Sequence, residues 1–288
     1  MKNSLNYHFF KCGLKPFGDK SIFIKIADFV FKIEGLNEYL KENIIDNFSL
    51  FLCEEKDSYC KIIVGETIHL KGLEDRGFDN FSLYEDEECE VYLSNYFAVC
   101  REETKTSLFL DISNEKNVPF AFENCFRFLI SKLSLNANGV LLHASAKVID
   151  GETRIFLGNH FAGKTTAVDL IEEGFTIGDD VILICKKENE DFLAHPLPAG
   201  SKFKQSRDEI DFFKIKMFYS LKKGEQNRLR KLNKPTAFAK LTASCPFNLD
   251  MDKVLPICRE IVEHFPFYEL EFKKEKNFLF EAMRNLDE

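Results

Sequence analysis

The chain has 288 residues, 45% of them hydrophobic, with a formal net charge of -8 at pH 7, which is enough apolar material for one large domain or two of ordinary size. The acidic balance argues against broad nucleic-acid binding, which rests on many Lys and Arg contacts to phosphates. The nine cysteines are odd in number and never spaced as C-x-x-C, which argues against a zinc site or a disulfide framework and for reduced thiols in a cytoplasmic protein. Met1 to His8 hold no continuous apolar run of the signal-peptide kind, and no later run approaches a membrane span, so no membrane is expected as a partner. With 31 phenylalanines and no tryptophan, Phe should fill the core.

Residues 1–117 alternate short apolar stretches with polar turns and read as a β-rich N-terminal domain. Ser21 to Ile26, Tyr59 to Val64 and Glu90 to Leu93 have the composition of strands in an antiparallel or mixed sheet, with a helix fitting Asn37 to Asn47. The acidic run Glu85-Asp86-Glu87-Glu88 is read as a solvated turn, because four adjacent side chains cannot converge on one ion in a strand or a helix.

Residues 118–288 form the second expected domain. From Pro119 the apolar residues Phe120, Phe122, Phe126, Phe128, Leu129, Leu133 and Leu135 recur at helical spacing up to the stop at Asn136-Ala137-Asn138-Gly139, a helix expected to pack against this domain. Two strand-like runs follow, Val140 to Ile149 and Arg154 to Leu157, joined by Asp150-Gly151, a dipeptide suited to a tight hairpin turn. Lys164 to Glu173 reads as a helix ending at Gly174, then Phe175 to Ile177, Val181 to Cys185 and Asp191 to His195 read as strands. Arg228 to Lys234 is the nearest thing to a basic patch, read as a solvated helix face or loop, or else as a clamp for phosphates or an acidic substrate segment. The C-terminal part adds a helix from Asp250 to His264, a strand from Phe267 to Phe272 and an amphipathic segment from Asn277 to Arg284.

The hairpin delivers the chain into Gly158-Asn159-His160-Phe161-Ala162-Gly163-Lys164-Thr165, which fits G-x-x-x-x-G-K-[ST] between a strand and a helix. That context is the one a phosphate-binding loop needs. Its glycines let backbone N–H groups turn inward around anionic oxygens, Lys164 supplies a positive charge to the outer phosphates, and Thr165 offers a hydroxyl to a magnesium ion. A nucleoside triphosphate is the expected ligand, held by Gly158 to Thr166.

Two further places could carry chemistry. Asp179 and Asp180 come one short strand after the loop's helix, and adjacent side chains in an extended turn point to opposite faces, so one carboxylate can face a metal while its neighbour supports it or takes a proton. His143 sits among apolar residues on the strand before the loop, and on spacing alone a core role and a functional role weigh about equally.

At these residues the chain resembles the C-terminal domain of the HPr kinase/phosphorylase family and its diverged relatives. The resemblance rests on Leu142-His143-Ala144-Ser145, on Gly158 to Thr166 and on Gly178-Asp179-Asp180; the last two also resemble phosphoenolpyruvate carboxykinases. It covers roughly residues 139–200 well, with weaker likeness at Pro196-Leu197-Pro198 and Phe267 to Phe272. It implies an α/β fold with a phosphoenolpyruvate carboxykinase/HPr kinase-like mixed sheet built around a P-loop. It further implies Lys164 as the phosphate-binding lysine, Thr165 and Asp180 as magnesium ligands, Asp180 as acid/base residue, and Asp179 and His143 as its assistants. ATP and Mg2+ are the implied cofactors, a homo-oligomer the implied assembly.

The chain departs from true HPr kinases in the His160-Phe161 pair, in a shorter gap from Lys164 to the aspartates, and in lacking a clear HPr-docking segment. The expected activity is therefore transfer of the terminal phosphoryl group of Mg-ATP to a hydroxyl of another protein, a peptide or a small molecule. A carboxykinase fits less well, because those enzymes are longer and need further metal ligands. The alternative is a nucleotide- or peptide-binding module that kept the loop without turnover. The N-terminal sheet and Ser201 to Lys240 are where the acceptor would be read.

Overall fold

The structure, a computed structural model, describes residues 14–55, 57, 60–66, 82–85, 89–93, 97–102, 105–110, 115–159, 161–187, 191–198, 212–225, 228–246 and 250–273. The chain divides into two compact units, Met1–Phe128 and Leu129–Glu288. Both combine sheet and helix, so the mixed α/β class holds.

The first unit is built on one sheet. Its strands are β1 (Lys15–Pro16), β2 (Lys20–Ile26), β3 (Phe29–Leu36), β4 (Cys60–Glu66), β5 (Ser82–Glu85), β6 (Glu90–Leu93), β7 (Phe97–Arg101) and β8 (Thr106–Leu110), in the order β2-β3-β4-β8-β7-β6-β5 with β1 beside β4. Helix α1 (Glu38–Phe48) makes the crossover between β3 and β4, which are parallel. Asn37 caps it, its side chain accepting from Leu40 N at 2.9 Å, and Leu40, Ile44 and Phe48 form the buried stripe that four-residue spacing dictates.

Helix α2 (Val118–Asn136) follows, and the division between units falls inside it. Its Phe122 and Phe126 rings pack edge-on to Phe48, and Phe128 stacks on Tyr92 at 5.0 Å, all within the first unit. The expectation that the whole helix packs against the second domain is thus corrected for its phenylalanine-rich half. Leu135, near its end, joins the core of the second unit.

The second unit contains β9 (Gly139–Ile149), β10 (Glu152–Leu157), β11 (Phe175–Gly178), β12 (Val181–Lys186), β13 (Phe192–His195), β14 (Phe213–Lys223), β15 (Arg228–Lys231) and β16 (Phe267–Phe272). Asp150 and Gly151 both have positive φ, 53° and 78°, the combination a type I′ hairpin requires between β9 and β10. β9 continues beyond that hairpin, pairing on its other side with β11 and then β12. β14 pairs parallel to β10 as well as antiparallel to β13, which closes β10, β9, β12, β13 and β14 into a ring, with β16 and then β15 added outside β14.

Beside the end of α2, the described residues of this unit add the helices α3 (Lys164–Leu170), α4 (Lys234–Thr242) and α5 (Met251–His264). The strand period of two sorts β9 between two clusters. Val140, Leu142, Ala144, Ala146 and Val148 join Ala237 and Leu241 of α4 and Val254, Ile257, Cys258 and Ile261 of α5. Ile149, of opposite parity, joins Ala167, Val168 and Ile171 at α3.

Several expectations need correction. α3 ends at Leu170, not Glu173, because Ile171 already has extended backbone at φ -87° and ψ 113°. Arg228 to Lys231 is neither helix nor loop but the short strand β15, where Arg230 pairs with Glu269 of β16 at 3.1 Å. Charged short strands of this kind suit a sheet edge, since they discourage further pairing. β14 and α4 were not anticipated. Asp86 to Glu88, Ser201 to Asp211 and Asn277 to Arg284 lie outside the described residues. Among the described residues no helix is long and apolar enough to cross a membrane.

Candidate functional site

The loop between β10 and α3 is shaped by close approach at both glycines. A Cβ at Gly158 would stand 2.6 Å from the Ala162 Cβ, nearer than side-chain atoms come. Gly163 has φ +96°, where a side chain is strained, and a Cβ there would also stand 3.1 Å from the Phe272 ring, which would have to shift slightly. Ala162 N donates to Asn159 O at 3.0 Å and Ala167 N to Gly163 O at 2.8 Å, which turns the chain into α3. Phe161 adopts φ 61° and stands 80% exposed, while His160 lies outside the described residues.

Lys164 opens α3 and is buried. Its ammonium donates to Gly158 O at 2.9 Å, to Asn159 O at 3.2 Å and to His143 Nε2 at 2.9 Å. Burial draws its pKa below the ordinary lysine value, opposed by the charges of Asp180 and Asp179. Because Lys164 can only donate, His143 Nε2 is the acceptor and Nδ1 carries the proton, which it directs to Asp180 Oδ1 at 3.1 Å. Lys164, His143 and Asp180 therefore form one hydrogen-bonded row, linking three elements that lie far apart in sequence.

Strand β9 organises that row. His143, Ser145 and Lys147 alternate along one face. His143 sits just past the last β9–β10 pair, Leu157 with Ala144, where β10 departs into the loop. Ser145, fully buried, donates through Oγ to Asp179 O at 2.8 Å, while Ala144 N donates to Asp180 O at 3.1 Å. Two neighbouring residues of β9 thus fix the main chain of both aspartates at the corner between β11 and β12. Asp179 Oδ1 is buried, whereas the Asp180 side chain is 36% accessible.

Lys147, also buried, reaches the far end of α3 and donates to Val168 O at 3.0 Å and to Ile171 O. It supplies the cation that carbonyls at a helix C-terminus lack. Replacing it by the similarly sized Met is expected to cost about 2 kcal/mol, because two buried carbonyls lose a charged donor. Denaturant unfolding checks this, and a variant as stable as the parent would refute it.

Sequence reasoning singled out His143, Lys164, Asp179 and Asp180, and the structure gathers them. Thr165 is exposed and Thr166 half-buried in the first turn of α3. Ser145 and Lys147 were missed, although two polar residues at alternate positions after His143 in an otherwise apolar strand are a visible signal. Among the described residues no three His, Cys, Asp or Glu side chains gather as a metal cluster.

The chain is similar to the family described as SynChlorMet cassette protein ScmC over residues 113–254. That stretch contains His143, the whole loop and both aspartates. Among solved structures it is similar to the Hpr(Ser) kinase/phosphatase from Coxiella burnetii, at 16% identity and a TM-score of 0.31, over 51% of this chain and 95% of that one. No curated protein sequence matches it.

Two side chains carry donors of the kind magnesium takes. Thr165 and Asp180 offer oxygen donors, which suit a hard cation, but two protein ligands are too few for a dedicated cage. Magnesium bound to substrate phosphates commonly takes only one or two carboxylates from the protein.

Proposed function

We propose that this chain is a phosphotransferase that moves the terminal phosphoryl group of Mg-ATP to a hydroxyl of a protein, a peptide or a small molecule. The observation that carries the reading is the row from Lys164 through His143 to Asp180 beside the Gly158–Thr165 loop. A partly desolvated ammonium suits phosphate oxygens and a carboxylate suits a hydroxyl proton, and one imidazole bonds to both.

Loop amides bind the outer phosphates together with Lys164, which exchanges its bonds to Gly158 O and Asn159 O for phosphate oxygens while keeping His143, and the buried position of Lys164 strengthens its attraction for them. Magnesium, held through Thr165 and Asp180, would neutralise charge on those phosphates. His143 fixes the Asp180 carboxylate by donating to one of its oxygens. As the acceptor oxygen attacks the γ-phosphorus and the bond to the departing ADP oxygen breaks, Asp180 takes the hydroxyl proton. The Ser145 bond to Asp179 O keeps the corner from shifting while the proton moves.

The test is direct. Purified protein is titrated with ATP in magnesium and in EDTA, then incubated with γ-labelled ATP and a panel of peptides and small hydroxyl compounds. Magnesium-dependent binding with label transferred to a hydroxyl is expected. Binding without transfer to any acceptor would favour a nucleotide-binding module, and no binding would reject the reading altogether.

A further inference from the structure

Away from the loop, two thiols meet on the face of the sheet covered by α4 and α5. Cys245 lies in the turn after α4 and is half-buried, whereas Cys258 sits inside α5 and is fully buried. Their Sγ atoms are 3.9 Å apart. A disulfide needs about 2.05 Å, so a displacement of about 2 Å joins them.

We infer that Cys245 and Cys258 form a reversible disulfide whose closure is transmitted to His143. The turn moves rather than the helix. Cys258 is held by helical backbone and by the packed cluster of Val254, Ile257 and Ile261. Cys245 is held by a backbone bond to Thr242 O at 3.1 Å and a long thiol contact to Leu241 O at 3.8 Å. The Cys245 N–H and the Ser244 carbonyl belong to one planar peptide unit, so moving one moves the other. That carbonyl accepts from His143 N at 2.6 Å, at the position where β10 no longer covers β9. Pulling Cys245 toward α5 therefore works on the main-chain anchor of the imidazole that bridges Lys164 and Asp180.

The oxidant is a low-molecular-weight disulfide. The Cys245 thiolate attacks one of its sulfurs, forming a mixed disulfide and releasing one thiolate; Cys258 then attacks Cys245 Sγ and releases the second. The two cysteine protons end on the two released thiols, so one small disulfide is reduced to two thiols as the protein pair is oxidised. The hydrogen bond between the thiols draws Cys258 below the ordinary cysteine pKa, which favours the second displacement. The same bond, with burial, raises Cys245.

The test uses the full chain with oxidised glutathione as probe and two readouts free of nucleotide. After treatment, denaturation and alkylation, mass spectrometry should find a cross-linked Cys245–Cys258 peptide in the parent and none in C258S or C245A. Amide exchange at His143 should accelerate on oxidation by about fivefold, the loss of one hydrogen bond, and stay unchanged in treated C245A. Both cysteines alkylated after treatment, or a cross-link with unchanged His143 exchange, would overturn the inference. Only the effect on phosphoryl transfer rests on the proposed function. Failure of ATP binding would leave the disulfide result standing, and failure of the disulfide would leave the phosphate site untouched.

Discussion

Lys164→Ala is expected to weaken ATP binding by about 100-fold or more, since removing one member of a desolvated charged contact costs about 3 kcal/mol. The lysine holds three partners, Gly158 O, Asn159 O and His143 Nε2, at 3.2 Å or less. Its loss removes the charge meant for phosphate and frees the loop carbonyls and imidazole together. Lys164→Arg keeps the charge, but a planar guanidinium does not reproduce a compact three-donor ammonium in a buried corner, so recovery should be partial. Calorimetric titration of both variants, with unfolding curves to confirm that each is folded, decides the matter. Unchanged affinity in Lys164→Ala would end the phosphate-loop reading.

Asp180→Asn should separate binding from chemistry. The amide keeps the size of the carboxylate and its oxygen can still accept from His143 Nδ1; it ligates magnesium more weakly, so it is at saturating magnesium that nucleotide affinity should stay within about threefold of the parent. It cannot take a proton from a hydroxyl, and transfer should fall by about a thousandfold, within the usual range for loss of a general base. The decisive comparison is the single-turnover rate at saturating ATP against the dissociation constant. Full turnover in the variant would move the proton acceptor elsewhere.

Much of the second unit was legible because its signals are local. Asp150-Gly151 dictates a hairpin through the positive φ of its two residues, and the loop pattern dictates a strand before it and a helix after it. The pairing of His143 with Asp180 was legible only as chemistry that residue types could perform; nothing in their separation of 37 positions fixes a 3.1 Å contact. β14 escaped because its sequence, FKIKMFYSLKK, mixes alternation with a buried run from Met217 to Leu221. Its pairing with three different strands accounts for that mixture, since different stretches face different neighbours. The carbonyls at the end of α3 are met by Lys147, seventeen residues before Lys164, and helix-ending rules that look only at local residues do not register a distant donor. The meeting of Cys245 with Cys258 depends likewise on how α4 and α5 fold back.

Strand β9 also limits how this protein can change length. Its odd-numbered side chains serve the loop, the aspartate corner and the end of α3, while its even-numbered ones fill the other face. Inserting one residue between His143 and Lys147 would send the lysine into the greasy side and an alanine toward the helix end. Insertions and deletions tolerated along this strand must therefore come in pairs, whereas neighbouring turns are free of that parity.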